Sequence, residues 1–312
     1  MRILVVGAGA VGGYFGGRLG QAGRDVTFLV RAKRAEELKA KGLQIISRYG
    51  DLVLHPQTIT ADRITGPYDV ILLSVKNYSL SAAMNDFAAA VGPETMIFPM
   101  LNGMRHVDLL VKRFGKEAVL GGVCLVSTEV DDEGRIRQLT DFQRLIYGEL
   151  DGRSTPRLQR LDETLRGAGF DARTSDNILR DMWQKWVQLA TLGALTCLLR
   201  GNLGEILAVP GGAEIARMAL NESSSIASAN GHPQSAAFLE EQTAKLAAGG
   251  SQLTSSMYRD LKKGAPVEVD TILGDLLERG RKHGLAAPIL QAAYVNLAIY
   301  ERGRDHAKSA VN

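Results

Sequence analysis

The sequence predicts an α/β fold in which a parallel sheet with an antiparallel extension is followed by an all-helical C-terminal domain. Three observations support this. Apolar β-branched runs alternate with helix-compatible segments up to about residue 120. A glycine-rich stretch follows the first of these runs, and no convincing strand pattern occurs from residue 176 onward. We therefore expect one domain over residues 1–175 and a second over residues 176–312.

The predicted parallel strands of the first domain are residues 3–6, 26–30, 70–75 and 96–100. The segments between them that read as helices are residues 10–22, 32–41 and 79–91. Apolar strands at this spacing, separated by helices, are typical of βαβ units and hence of a parallel sheet.

Shorter strand-like runs follow residue 120, and they predict the antiparallel extension. They are residues 121–129, 134–139, 145–148 and 170–173, with a turn-like stretch at 131–134. The second domain reads as five helices, over residues 176–199, 210–230, 233–248, 268–283 and 288–301, several of which begin at a proline or after a capping residue.

Composition narrows the class of protein. Of 312 residues, 45% are hydrophobic and 23% charged, as in soluble globular proteins, and the net charge of +3 does not predict nucleic-acid or membrane binding. The longest uncharged apolar run, residues 186–199, is too short for a membrane span. Cys124 and Cys197 form no metal-binding or disulfide pattern, and the histidines lack metal-ligand spacing. We expect no metal site and a location in the reducing cytoplasm.

The glycine-rich stretch is Gly7-Ala8-Gly9-Ala10-Val11-Gly12, a G-x-G-x-x-G motif between a predicted strand and a predicted helix. This context makes the sheet Rossmann-type. Gly7 allows a tight turn, Gly9 lets the backbone approach a pyrophosphate, and Gly12 lets the helix pack on the strand. The helix N-terminus then offers N–H groups to the anion. The sequence thus predicts a dinucleotide site that includes Ala10 and Val11.

The end of the second strand indicates which dinucleotide is bound. A carboxylate there would bind the ribose hydroxyls of NAD, but this chain has Arg31, followed by Lys33 and Arg34. A guanidinium can pair with a 2′-phosphate, so the sequence favours NADP (NADPH) over NAD. The alternative is that these residues form a solvated basic start of a helix.

Four further polar residues are candidates for the chemistry. Lys76 and Asn102 end predicted parallel strands, where such sheets bind ligands, although a surface charge and a plain turn explain them as well. Lys185 lies between two tryptophans in an apolar helix, where burial would suit a proton donor and snorkelling is the alternative. Glu268 could pair with it or cap a helix.

Together these residues resemble the ketopantoate reductase family over nearly the whole chain. The resemblance rests on the glycine motif, Arg31, Ser74-Val75-Lys76, Asn102-Gly103, Lys185, Gly204-Glu205, Ser256-Met257 with Asp260, and Glu268-Val269-Asp270. It implies NADPH-dependent reduction of a small-molecule 2-keto acid to the 2-hydroxy acid, and a monomer or a homodimer.

The resemblance also implies roles for the matching residues. Lys185 would be the general acid and Glu268 would orient it and hold the substrate. Ser256 would bind the substrate carboxylate. Lys76 and Asn102 would line the nicotinamide side, with Asn102 and Asn202 also near the substrate, and Arg31 would hold the 2′-phosphate.

The chain departs from the family pattern after the lysine. Asparagines usually stand four and eight residues further on, where this chain has Leu189 and Gly193, and Asn202 matches the later asparagine-rich stretch only loosely. The reaction type is therefore better supported than the substrate, and a 2-keto acid larger or more apolar than ketopantoate is indicated. A 3-hydroxyacid-type dehydrogenase and a non-catalytic NADPH-binding sensor are the alternatives.

Overall fold

The structure, a computed structural model, describes residues 1–247 and 249–309, without the side chains of 305–309. The described residues form two compact units. The first comprises Met1–Leu101 and His106–Met182. The second comprises Asn102–Arg105 and the chain from Trp183 onward. The predicted division into one domain over residues 1–175 and a second over residues 176–312 remains a proposal.

Ten strands are present in the described residues: β1 (Arg2–Val6), β2 (Asp25–Leu29), β3 (Leu43–Ile46), β4 (Leu52–Leu54), β5 (Gln57–Ile59), β6 (Val70–Leu73), β7 (Met96–Pro99), β8 (Leu120–Val130), β9 (Ile136–Glu149) and β10 (Asp171–Thr174). The α-helices are α1 (Ala10–Gln21), α2 (Ala32–Lys41), α3 (Leu80–Asp86), α4 (Arg105–Phe114), α5 (Pro156–Leu165), α6 (Ile178–Leu199), α7 (Leu203–Ala208), α8 (Gly212–Ala229), α9 (Ala236–Ala247), α10 (Ser256–Lys262), α11 (Asp275–Lys282) and α12 (Pro288–Ser309).

A parallel sheet of order β5-β2-β1-β6-β7 forms the centre of the first unit. Its middle strands are buried on both faces, which explains why they read as continuous apolar runs. Ile3 and Val5 of β1 belong to one core cluster, whereas Leu4 and Val6 belong to another. The alternation shows that both faces of this sheet are covered by packed side chains.

Five further strands form a second, mixed sheet, of order β10-β9-β3-β4 with β8 paired to β9. The pairs β8–β9 and β3–β4 are antiparallel, as the predicted extension required, whereas β10, the predicted strand 170–173, pairs with β9 in parallel. A single bridge between Ile97 of β7 and Val119 links the two sheets. The predicted fold class is thereby confirmed. One detail was wrong: the predicted strands 134–139 and 145–148 are one continuous strand, β9. The two ends of β9 pair with β8 on either side of a register shift between Val126 and Thr128, so the strand continues across residues 139–142.

Within its described residues the second unit contains helices and no strand, in line with the sequence pattern. Helix α8 is packed by α7, α9, α11 and α12. Glu222 of α8 accepts hydrogen bonds from the backbone N–H groups of Ile289 and Leu290, at 3.0 and 2.9 Å, and so caps α12. The short helices α7 and α10 were not predicted. Ala248, the last residue of the predicted helix 233–248, lies outside the described residues.

The predicted helix 268–283 begins differently from an ordinary α-helix. Its first turns, Asp270–Gly274, are π-helical, and α11 continues from them. Single π-turns of this kind are uncommon and are frequently found at functional sites. Among the described helices, none combines the length and the apolar character that a membrane span requires.

Candidate active site

The glycine turn between β1 and α1 has a backbone that few other residues could form. Gly7 has a φ of +100°, a region that residues with a Cβ rarely adopt. A Cβ on Gly12 would lie 1.9 Å from Ser74 Oγ and 2.2 Å from the Gly7 carbonyl oxygen. Gly9, by contrast, has no heavy atom within 4 Å of a Cβ position. The turn is therefore closed on the protein side and open at Gly9.

Ser74 supports this turn, a role that the sequence reasoning missed. Its hydroxyl donates to the carbonyl oxygen of Gly7 at 2.9 Å, with the carbonyl of Val6 at 3.1 Å. Ser74 follows β6, which pairs with β1 in parallel register, so its position beside the turn follows from the strand order. The only signal for this role in the sequence was a polar residue directly after a predicted strand.

The open side of the turn meets the N-terminus of α1. The first N–H groups of a helix have no partner within the helix and carry partial positive charge. Gly9 occupies the N-cap position of α1, so no side chain covers these groups there. An open backbone, a helix N-terminus and glycines at the close approaches fit the pyrophosphate of a dinucleotide.

Of the basic residues after β2, the structure places Arg34 against the turn. Its Nη2 lies 3.5 Å from the carbonyl oxygen of Ala8, and its Nη1 pairs with Glu37 at 3.0 Å. Arg31, the predicted 2′-phosphate ligand, occupies the N-cap position of α2 with an exposed side chain. In the sequence, Arg34 stands out only as part of a basic stretch, since spacing alone does not show which arginine reaches the turn.

Lys76 and Asn102 follow β6 and β7, as predicted. Lys76 is exposed and Asn102 half-buried, and each has a polar or charged partner within the structure. Asn102 belongs to a four-residue segment that groups with the second unit. Its neighbour Gly103 has a φ of +79° and packs on Thr271, to which a Cβ would come within 3.0 Å. Asn102 therefore lies beside the π-helical segment.

Lys185 lies on the half-buried face of α6, between two buried tryptophans. The rings of Trp183 and Trp186 lie 4.9 Å apart, and the Arg279 guanidinium lies within 6 Å of both. Trp186 also donates its indole N–H to the carbonyl oxygen of Ile272, at 3.0 Å. The turn of α6 that carries Lys185 is thus anchored to the π-helical segment. The sequence left burial and snorkelling open for this lysine, and the structure shows it half-buried.

Glu268 is buried and comes two residues before the π-helical segment. Its carbonyl oxygen accepts the N–H of Ile272 at 3.0 Å, so its backbone is part of the first helical turn. Lys185 and Glu268 both have polar or charged partners in the structure. The bond from Trp186 to Ile272 therefore ties the helix that carries Lys185 to the turn that Glu268 begins.

Ser256 and Asn202 lie at the starts of two short helices. Ser256 is the first residue of α10 and is half-buried, after the buried capping residue Ser255, whose hydroxyl lies 2.9 Å from that of Thr196 in α6. Asn202 caps α7 by accepting the N–H of Glu205 at 2.8 Å. Its amide nitrogen also donates to Gln252 at 3.3 Å, so Asn202 has a structural role whatever else it binds.

Two further observations bear on the chemistry, one on a histidine and one on metal binding. Burial and the nearby charge of Arg279 lower the pKa of His232, which stacks on Trp183, and so favour its neutral form. In the described part of the chain, no group of three or more His, Cys, Asp or Glu side chains is placed to hold a metal ion.

Comparison with known families shows to which family the chain belongs. The family described as ketopantoate reductase PanE/ApbA matches residues 3–152, and its C-terminal part matches residues 177–301. The chain belongs to the ketopantoate reductase family. This confirms the resemblance seen in the sequence and places the chain among oxidoreductases.

Individual relatives agree over almost their full lengths. An uncharacterized oxidoreductase, YkpB, of Bacillus subtilis is 39% identical, and the match covers 96% of this chain and 99% of YkpB. A 2-dehydropantoate 2-reductase of Mesorhizobium japonicum is 28% identical, over 97% and 99% of the two chains. The crystal structure of 2-dehydropantoate 2-reductase from Geobacter metallireducens superposes with a TM-score of 0.86 at 30% identity, over 96% and 99% of the chains.

Proposed function

We propose that this member of the ketopantoate reductase family uses NADPH to reduce a 2-keto acid to the 2-hydroxy acid. The observation that carries the proposal is the half-buried Lys185, anchored by Trp186 to the segment that Glu268 begins. A reductase of carbonyl compounds needs a proton donor that is held in place and partly shielded from water. Membership of a reductase family supports the same reading.

The first unit would hold the cofactor. The glycine turn and the N-terminus of α1 would bind its pyrophosphate, and Arg31 with Arg34 would pair with a 2′-phosphate. Lys76 and Asn102, which follow neighbouring strands, would line the nicotinamide side. When bound, the cofactor supplies a hydride, that is, a hydrogen together with two electrons. Directly after β2 the chain has Val30 and Arg31, where a carboxylate residue would favour NAD.

The second unit would supply the rest of the reaction. As the carbonyl carbon gains a hydride, negative charge develops on the carbonyl oxygen. The ammonium of Lys185 would stabilise this charge and then transfer one proton to the oxygen, leaving a neutral amine that takes up a proton from water. Glu268 would orient the lysine, and Ser256 would bind the substrate carboxylate. Asn202 would lie at the edge of this substrate site.

The test is NADPH oxidation by the purified protein with a panel of 2-keto acids that includes ketopantoate, followed by absorbance. We expect turnover with at least one of them and slower turnover with NADH. Tight NADPH binding without turnover of any 2-keto acid would contradict the proposal and favour the sensor. Turnover of 3-hydroxyacids instead would favour the dehydrogenase. The homodimer and the cytoplasmic location remain predictions.

A further inference from the structure

We propose that Glu37 limits how strongly the chain prefers NADPH over NADH, because its carboxylate offsets the charge of Arg34. This rests on the proposed function, since it assumes that the glycine turn binds the cofactor and that Arg34 pairs with the 2′-phosphate. It goes further by assigning a specificity-determining role to a carboxylate that takes no part in the reaction. Removal of that carboxylate should therefore strengthen NADPH binding.

Arg34 and Glu37 lie on the same side of α2. They are three residues apart in this helix, a spacing at which side chains are neighbours. Nη1 of Arg34 lies 3.0 Å from Oε2 of Glu37, and 29% of the arginine side chain and 43% of the glutamate side chain are exposed. Within the described part of the chain, Glu37 has no second charged partner. Its carboxylate therefore acts on this one guanidinium.

The two Nη atoms of Arg34 have different surroundings. Beside Nη1, next to Glu37, lies the turn between β8 and β9, since a Cβ on Gly134 would be 4.0 Å from this atom. Nη2, in contrast, lies 3.5 Å from the carbonyl oxygen of Ala8 in the glycine turn. Arg34 can therefore present Nη2 to a ligand of the glycine turn while Nη1 stays beside the carboxylate.

Two acidic residues of the turn between β8 and β9 are bound to another arginine. Asp131 and Glu133 each pair with Arg135, at 2.8 Å. Arg31, at the N-cap position of α2, is exposed and forms no ion pair with any described residue. Arg34 is thus the arginine at the start of α2 whose charge is offset by a carboxylate, and Glu37 supplies that carboxylate.

Glu37 has two opposing effects on NADPH binding, and their sizes decide the outcome. As an exposed ion-pair partner it holds Arg34 in place, which is worth about a factor of two in an equilibrium constant. Its charge also repels a 2′-phosphate, which carries roughly two negative charges at pH 7. At about 8 Å, across one guanidinium, this repulsion amounts to about fivefold in affinity at low salt even with the dielectric constant of water. Repulsion therefore outweighs positioning for NADPH, whereas NADH has a neutral hydroxyl at this position.

The experiment measures the dissociation constants of NADPH and NADH by fluorescence titration, for the wild-type protein and for Glu37→Gln. At low salt, Glu37→Gln should bind NADPH about fivefold more tightly and change NADH binding by at most about twofold. In about 0.5 M salt the gain for NADPH should fall below about twofold, because salt screens the repulsion. The control is Glu36→Gln, which removes the same charge from an exposed residue on the other side of α2 from Arg34. It should leave the ratio of the two dissociation constants unchanged.

The outcomes separate the role of Glu37 from the function on which it rests. An unchanged or weaker NADPH affinity in Glu37→Gln would overturn the role of Glu37 and leave the reductase standing. Equal gains for NADPH and NADH, or an equal gain in Glu36→Gln, would overturn it as well, since the carboxylate would then not act on the 2′-phosphate. A wild-type protein that binds neither dinucleotide would overturn both proposals. Because binding is measured without a 2-keto acid, the result does not depend on which substrate is reduced.

Discussion

The two halves of the proposed machinery, one in each unit, are built in different ways. In the first unit, the turn from Gly7 to Gly12 is contiguous in the sequence, and its shape follows from the missing side chains. In the second unit, Lys185, Ser256 and Glu268 are distant in the sequence and depend on the packing of α6 against α10 and the π-helical segment. The first half is therefore expected to fail through a single local clash, and the second through contacts away from the reacting groups.

Lys185→Ala is the variant that should distinguish the two halves most clearly. Loss of the proton donor should lower kcat by about 1000-fold, because general acid catalysis typically contributes 100- to 10,000-fold. NADPH affinity, which depends on the other half, should change little. Steady-state kinetics and NADPH fluorescence titration measure the two effects. Lys245→Ala, at an exposed lysine of α9 paired with Glu241, is the control and should alter neither. Unchanged turnover in Lys185→Ala would make this lysine structural.

The converse change is Gly12→Ala. Its methyl group would lie 1.9 Å from Ser74 Oγ and 2.2 Å from a backbone carbonyl, so the turn has to open. Overpacking of this kind costs about 1–3 kcal/mol, and we expect NADPH affinity to fall by on the order of 100-fold. Isothermal titration measures it. Gly303→Ala in α12, where a Cβ meets no atom within 4 Å, should leave the affinity unchanged. Normal NADPH binding by Gly12→Ala would show that the turn is not the cofactor site.

Trp186→Phe tests whether the second half depends on a contact between segments. The change keeps an aromatic ring and removes the N–H that binds the carbonyl oxygen of Ile272 at 3.0 Å. We expect kcat to fall about tenfold, with a shifted pH profile and unchanged NADPH affinity. The control is Trp183→Phe, at a tryptophan whose described contacts are ring contacts. A lower melting temperature with an unchanged kcat and pH profile would reduce Trp186 to a packing role.

The smallest effect is expected at the rim of the first half. Arg34→Ala and Arg31→Ala should each weaken NADPH binding about tenfold, the loss typical of one charge-assisted hydrogen bond, and leave NADH binding unchanged. Titration with both cofactors measures the difference. Lys39→Ala, at an exposed residue toward the other end of α2, is the matched control. Equal losses for NADH and NADPH would show that neither arginine reads a 2′-phosphate.

Much of the fold could be predicted because its signals are local. Helix α2 has its predicted bounds, and β1 differs by one residue, since apolar runs and helix-compatible stretches identify such elements directly. The strands β3, β4 and β5 were missed because they are short and only partly buried, whereas the equally short β6 and β7 are fully buried and read as continuous apolar runs. The continuous β9 was missed because its middle has no strand pattern in the sequence, whereas pairing with β8 on both sides of a register shift keeps the strand continuous.

The candidate site shows the same limit. The glycine motif and Lys185 were found from their neighbours in the sequence, whereas Ser74, Arg34 and Trp186 acquire their roles from contacts with distant residues. The hydroxyl of Ser74 meets the turn because β6 pairs with β1. The indole of Trp186 meets Ile272 because two segments 86 positions apart pack together.

By itself, the sequence determined the fold class, and it predicted the glycine turn and the type of reaction to expect, because each depends on the order of neighbouring residues. Tertiary structure alone decided which arginine lies at the turn, how the helix turn that carries Lys185 is anchored and that α10 packs on Gly193. The physical reason is that backbone conformation responds to adjacent residues, whereas the surroundings of a side chain are set by whatever segments the fold packs against it.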